Sequence, residues 1–280
     1  MPRVSVIIPC YNYAHFLPEA VESVIAQTYR DFEIIIVNDG SQDNTNEVAE
    51  GLRRKYPAAC IALIDQRNSG VAHARNNGIS AARGEFILPL DADDMLGPCY
   101  IERLVSALDS DPDTGFAYTW SEKFGLESGV LKHGSFTLKN ILVRDGPPLT
   151  LLIRKSAWEK VGGYKRMAIQ GGEDWEIGCS FFEAGFKGTV IPEVLFKYRK
   201  HGPSMIDDMV NDHAVLSSRD IKLLHPRMFE PLLSRISPSL AKAVIWIKYF
   251  TRDPVLHYIY VRHPGIHAKL RAIKYGLFVR

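Results

Sequence analysis

Three carboxylates fall within four positions, Asp91-Ala92-Asp93-Asp94, directly after the apolar run Phe86-Ile87-Leu88-Pro89-Leu90. Carboxylates crowded this closely repel one another unless a cation or a hydrogen-bonded sugar sits among them. Carboxylates together with diphosphate oxygens suit Mg2+ or Mn2+. The competing reading is a solvated turn in which an Asp caps the next helix. Asp174 opens a helical stretch, where it is either a general base or a helix cap. His201 lies in Arg-Lys-His-Gly-Pro-Ser and is either a metal ligand or a surface histidine. Near the N-terminus, the Tyr11 ring could stack on a nucleobase and Asp39 could accept from a base N–H. The alternatives there are surface packing for Tyr11 and a plain Asp-Gly turn for Asp39.

These residues need a scaffold that brings them together, and the apolar patterning supplies one. Strand-like runs cover residues 4–9, 32–37, 60–64 and 86–90. Helical spacings separate them at 16–28, 45–56 and 70–82. This β-α-β-α-β-α-β order predicts a parallel sheet with helices on its faces. Right-handed crossovers put all four strand ends on one edge. The loops 10–13, 38–43, 65–69 and 91–94 then converge on one crevice, where open α/β sheets bind ligands. Downstream, the pattern predicts a helix over 98–108, a strand over 116–120, and a loop or hairpin over 122–146. A strand over 149–154 follows, then a short helix over 155–161 closed by Gly162-Gly163. A helix over 174–184 is entered through Gly171 and Gly172 and closed by Gly185. Short strands over 189–191 and 195–198 complete this part. Beyond Pro203 the chain reads as helical segments divided by Pro226, Pro231, Pro238, Pro254 and Pro264.

A chain of 280 residues with 46% hydrophobic and 24% charged content reads as a soluble globular protein with a sizeable core. The net charge of +2 is unevenly spread: from Arg219 onward there are 12 Lys and Arg against 3 Asp and Glu, so +9, leaving 22 against 29, or −7. That asymmetry suits an anionic surface. The tail has no nucleic-acid reader motif, so the expectation is peripheral membrane contact with no nucleic-acid partner. Packing of its apolar residues, Val244 to Phe250 among them, on the preceding domain is the alternative. Cys10, Cys60, Cys99 and Cys179 are widely spaced, with no CxxC pair, and favour a reducing compartment. Cys10 and Cys60 are expected to be buried free thiols. With no secretory signal and no apolar run of spanning length, the expected location is cytoplasmic, at the inner face of the membrane.

The first strand is followed by Pro9-Cys10-Tyr11-Asn12, so neither GxGxxG nor a P-loop is present there. The run Val4-Ser5-Val6-Ile7-Ile8-Pro9-Cys10-Tyr11-Asn12, the stretch Asn38-Asp39-Gly40-Ser41-Gln42-Asp43-Asn44-Thr45 and Asn68-Ser69-Gly70-Val71-Ala72-His73-Ala74-Arg75-Asn76-Asn77-Gly78 come in order before the acidic cluster. Gly162-Gly163-Tyr164, Gly172-Glu173-Asp174-Trp175 and Tyr198-Arg199-Lys200-His201-Gly202-Pro203-Ser204 follow it. Together these motifs resemble family 2 of the glycosyltransferases over about residues 3–205.

The resemblance implies a GT-A fold: an α/β, Rossmann-like, mostly parallel sheet flanked by helices, here with a C-terminal helical extension. It places a catalytic domain at 1–205 and a basic helical extension at 206–280. It implies inverting sugar transfer from a nucleotide diphosphate sugar, UDP foremost, to a glycan or lipid-linked hydroxyl. Asp174 would be the general base. Pro9, Tyr11, Asn12 and Asp39 would border and read the base, and Arg75 would lie near the diphosphate. Asp91 would contact ribose, with Ala92 and Glu173 also on the donor. Asp93 and His201 would hold Mn2+ or Mg2+, and Asp94 would support Asp93 or cap the next helix. A non-catalytic binding module on the same fold is one rival. A nucleotidyltransferase is another, although it would call for a Gly-rich basic loop after the first strand.

Overall fold

The computed structural model describes residues 1–142, 148, 150–167, 172–202, 221 and 224–228. The chain divides into two units. One comprises Met1–Arg166 and Glu173–Gly202, and the other Met167–Gly172 and Pro203–Arg280. In the second unit, His225 N–H donates to the Ile221 carbonyl at 2.9 Å within a short helical turn. The helical segments expected after Pro203, the apolar run 244–250 and Gly171 otherwise lie outside the described residues.

The first unit is built on one nine-stranded sheet ordered β3-β2-β1-β4-β8-β6-β9-β5, with β7 paired to β6. Its parallel half follows the expected β-α order. Here β1 (Val4–Cys10), β2 (Phe32–Asn38), β3 (Cys60–Asp65) and β4 (Phe86–Pro89) alternate with α1 (Leu17–Ile25), α2 (Thr45–Lys55) and α3 (Val71–Ala81). β1 pairs in parallel with both β2 and β4, and β2 with β3. Successive residues of β1 face opposite sides. Val4, Val6, Ile8 and Cys10 join α1, α2 and α4 (Tyr100–Ser110) in one core, while Ile7 packs with α3, α6 (Lys155–Val161) and α7 (Glu173–Glu183) in the other. Burying each such aliphatic side chain stabilises the fold by about 1.5–3 kcal/mol. Helix α3 lies close against the sheet because Gly78 has no side chain. A Cβ there would meet Ile7 Cγ2 at 2.5 Å and Val37 Cγ2 at 2.9 Å.

The second half of the sheet is mixed. It contains β5 (Met95–Leu96), β6 (Thr114–Gly125), β7 (Gly129–Leu131), β8 (Leu152–Arg154) and β9 (Lys187–Lys200). β8 runs antiparallel to β4 and β6, and β9 runs parallel to β6 and antiparallel to β5. The region read as loop or hairpin holds the β6–β7 hairpin and a short helix, α5 (Leu138–Leu142), and residues 143–147 lie outside the described set.

Three expectations are corrected. The strands expected at 189–191 and 195–198 are one strand of 14 residues. Its register with β6 shifts near Trp120, and that irregularity accommodates Pro192 without ending the strand. No helix begins directly after the acidic cluster. Met95 and Leu96 pair with β9 instead, and the N-cap of α4 is Cys99, so Asp94 caps nothing. Cys60 is exposed, because β3 is an edge strand with one face open. Among the described residues, no helix is long and apolar enough to cross a membrane.

Candidate active site

The parallel strand ends do meet. Asp39 N–H donates to the Cys10 carbonyl at 2.9 Å, and Gln66 N–H to the Asn38 carbonyl at 3.0 Å. Gly40, at φ 71°, lets the second loop touch the third, and a Cβ there would lie 2.7 Å from Asn68 N. Asn12, also at positive φ (58°), accepts from Gln42 N–H at 2.7 Å and donates its own N–H to Ser41 Oγ at 3.0 Å. Asp43 ties the same loops together. It accepts from Ala14 N–H at 3.0 Å and from the Thr45 N–H and hydroxyl at 3.1 and 2.5 Å. Its sequence position suggests only a turn residue, and its partners are what reveal the tie.

Within this rim, Tyr11 is exposed and available to a flat ring. Pro9 is buried inside β1 opposite Val37, and Ala92 is buried in the core, so neither offers a side chain to a ligand. Asp39 is 3% exposed and accepts three hydrogen bonds: from Gln66 Nε2 at 2.7 Å, Ser69 N–H at 2.8 Å and Gly70 N–H at 2.9 Å. Gly70 precedes α3, so Asp39 also anchors the start of that helix.

The acidic turn sits at the end of β4. Asp91, Asp93 and Asp94 each present an oxygen within 4.8 Å of the others. Burial, then the charge of Asp91, raises the Asp93 carboxyl above the ordinary carboxylate range. Burial, then Asp93 and Asp91, raises Asp94 well above it. Asp94 Oδ1 accepts from Arg199 N–H at 2.8 Å. His201 Nε2 lies 2.9 Å from Asp93 Oδ2, with its ring against Tyr13 and Phe16. A cluster of hard oxygens with one imidazole at hand fits Mn2+ or Mg2+, and the mutual repulsion of the carboxylates is what a cation would relieve.

Arg75 joins this turn to α7. Its side chain is 3% exposed, with one terminal nitrogen 2.8 Å from Asp91 Oδ1 and the other 3.4 Å from Asp174 Oδ1. Burial opposes its charge, but Asp91 and Asp174 outweigh burial and hold the guanidinium above its ordinary value. Its Cζ lies 5.4 Å from the Tyr164 ring centroid. Tyr164 is fixed through its backbone, which accepts from Asn76 Nδ2 at 2.7 Å and donates to Asn76 Oδ1 at 2.9 Å. The Tyr164 hydroxyl and Arg75 Nε are buried and have no hydrogen-bond partner among the described residues. Asp174 lies in the first turn of α7, one residue after the buried Glu173 that begins the helix, so it is not the cap. Trp175 is anchored beside it, its Nε1–H donating to the Ile141 carbonyl at 2.8 Å.

The structure therefore brings Asp91, Asp93, Asp94, His201, Arg75 and Asp174 into one linked constellation. Tyr11, Asn12 and Asp39 lie on the adjoining loops. Arg199 is a participant that sequence reading missed, because an Arg in a strand carries no mark of its partners.

A half-parallel sheet with an acidic turn at its fourth strand end is the arrangement expected of a GT-A glycosyltransferase fold, and the solved structures below share that fold. Residues 5–171, more than half the chain, match glycosyl transferase family 2, and the chain belongs to that family. It is 33% identical over 214 residues to an uncharacterized glycosyltransferase of Nostoc sp., covering 71% of this chain and 65% of that one. It is 30% identical over 207 residues to the putative glycosyltransferase EpsE of Bacillus subtilis, covering 71% and 73% respectively. The chain thus spans just under two thirds of the Nostoc relative. Among solved structures, S. aureus TarS residues 1–349 in complex with UDP-GlcNAc matches with TM-score 0.63 at 20% identity, over 73% of this chain and 60% of that one. The mannosyltransferase PcManGT of Pyrobaculum calidifontis, in complex with GDP-Man and Mn2+, matches with TM-score 0.67 at 18% identity, over 99% and 81%. At these identities the likeness establishes the fold.

Proposed function

We propose that this chain transfers a sugar, with inversion, from a nucleoside diphosphate sugar to a hydroxyl of a glycan or lipid-linked acceptor. UDP is the foremost donor nucleotide. The carrying observation is the guanidinium of Arg75 shared by Asp91 and Asp174, which ties the donor-side acid turn to a helix-borne carboxylate. The solved neighbours that hold nucleotide sugars support this reading.

Inversion needs one base on the face opposite the leaving group. In this reading Asp174 takes the acceptor proton as the acceptor oxygen bonds to the anomeric carbon. The bond from that carbon to the diphosphate oxygen breaks, and its electron pair leaves with the nucleoside diphosphate. Arg75 serves as an aligner of Asp91 and Asp174 more than as a diphosphate contact, since it is buried and both its terminal nitrogens are engaged. Asp93 and His201, with Asp91 and Asp94 beside them, would hold a divalent cation. Bound there, that cation would offset the charge developing on the departing diphosphate. Tyr11 and the rim around Asp39 take the base. We assign this machinery to residues 1–205 and give 206–280 the part of a basic extension touching a membrane surface.

Asp174→Asn is expected to lower turnover by about 10²–10⁴-fold while leaving UDP affinity unchanged. A variant that kept most of its rate would remove Asp174 from the base role. A thermal-shift screen of sugar nucleotides with Mn2+ identifies the donor, because a ligand of the native state raises its melting temperature.

A further inference from the structure

We infer that Arg199 is a positioning residue that sets the acidic turn and His201 in register for metal capture, an inference that rests on the metal reading above. Arg199 reaches the turn twice. Its backbone N–H donates to Asp94 Oδ1 at 2.8 Å, and its Nε–H donates to the Asp93 carbonyl at 2.7 Å. The far side of the same guanidinium donates to Glu19 Oε2 at 2.8 Å, in the first turn of α1. The plane is held between two rings, with Cζ 4.8 Å from the Phe16 centroid and 4.3 Å from that of Phe124. Phe16 is also the ring against which His201 rests, at 4.6 Å between centroids. One side chain, 12% exposed, thus fixes the backbone of Asp93 and the surface beneath His201.

The turn needs such a brace. Three carboxylates face one another across it, and after Asp94 the chain continues only into the two-residue strand β5. That strand pairs Met95 with Lys197, two residues before Arg199 on β9. Charge alone does not account for the arrangement. The guanidinium donates from two separate nitrogens, Nε to a carbonyl and a terminal nitrogen to a carboxylate, and lays its plane against two rings, whereas an ammonium gathers its donors on one nitrogen and has no planar face. Partners that orient metal ligands change affinity without touching the metal.

The test uses the full chain saturated with UDP and no acceptor, and reads the Mn2+ dissociation constant by electron paramagnetic resonance or calorimetry. Wild type, Arg199→Lys and Arg199→Gln are compared, each with its melting temperature. Both variants are expected to weaken Mn2+ by about 10- to 100-fold, with UDP affinity in EDTA unchanged. Folded variants whose Mn2+ constant stays within about twofold of wild type would overturn the assignment, as a role in stability alone would predict. Full recovery in Arg199→Lys but not in Arg199→Gln would also overturn it, because charge would then suffice. If neither variant folds, Glu19→Gln decides: weaker Mn2+ binding supports the brace and unchanged binding overturns it. A wild type that binds UDP but no Mn2+ would instead refute the metal reading, and this inference with it.

Discussion

Asp39 and the Asp93–Asp94 pair occupy equivalent places, each just past the end of a parallel strand, yet the chain treats them oppositely. Asp39 receives three hydrogen bonds from its own protein. Asp93 and Asp94 face Asp91 and each other, and burial with that mutual repulsion drives both carboxyls above their ordinary range. A carboxylate already satisfied by its scaffold is a structural anchor with about one acceptor position to spare for a ligand. Carboxylates crowded together, with Arg75, His201 and Arg199 N–H each reaching one oxygen of one of them, remain poised for something positive. The distinction lies in the partners and not in the residue type.

The contrast can be broken or sharpened by substitution. The largest effect belongs to Asp93→Ala, which is expected to reduce metal-dependent turnover by more than about 100-fold while leaving the melting temperature of the metal-free protein unchanged or higher. Full wild-type activity in excess EDTA would dissolve the contrast altogether. Asp39→Ala should act in the other direction. Three donors lose their acceptor, and the fold should lose about 1–3 kcal/mol, read by urea denaturation, with UDP affinity falling as well. An Asp39→Ala protein as stable as wild type would show that those bonds are incidental.

The smallest effect is the most diagnostic. A raised carboxyl keeps its proton in the folded chain at pH values where the unfolded chain has released it. Metal-free stability therefore falls as pH rises from the usual carboxylate range, about 4, through the raised value. Asp94→Asn removes that burden and keeps an oxygen for Arg199 N–H. At pH 7 and without metal, its melting temperature should rise by about 2–4 °C, and its pH dependence should flatten. A melting temperature equal to or below wild type would mean that Arg199 already neutralises the cluster.

Much of the scaffold was legible because burial on both faces writes a continuous apolar run, as in Val6-Ile7-Ile8 and Ile34-Ile35-Ile36-Val37. Strand β5 was not, since two residues between an acidic turn and Gly97 carry no period. The strands expected at 189–191 and 195–198 are one because the ladder irregularity between them depends on β6, a partner that local sequence cannot name. The exposure of Cys60 depends on β3 being an edge, which is a fact of topology. In the site, Asp91, Asp93 and Asp94 stand out as a cluster by type and spacing, whereas Asp174 is singled out only by its setting in Gly172-Glu173-Asp174-Trp175 through the family resemblance. That Arg75 faces two carboxylates, and that Arg199 props the turn through backbone atoms, are tertiary facts with no linear signature.

The unbroken course of β9 has a bearing on ancestry. Because this strand follows α7 after a short turn, Asp174, Arg199 and His201 travel together in the contiguous piece Glu173–Gly202. Tyr11, Asn12, Asp39, Asp91 and Asp93, on the proposed donor side, are encoded before residue 95. A crossover between two genes of this family that fell between those stretches would part Asp93 from His201 and Arg75 from Asp174, so the two stretches are expected to diversify together.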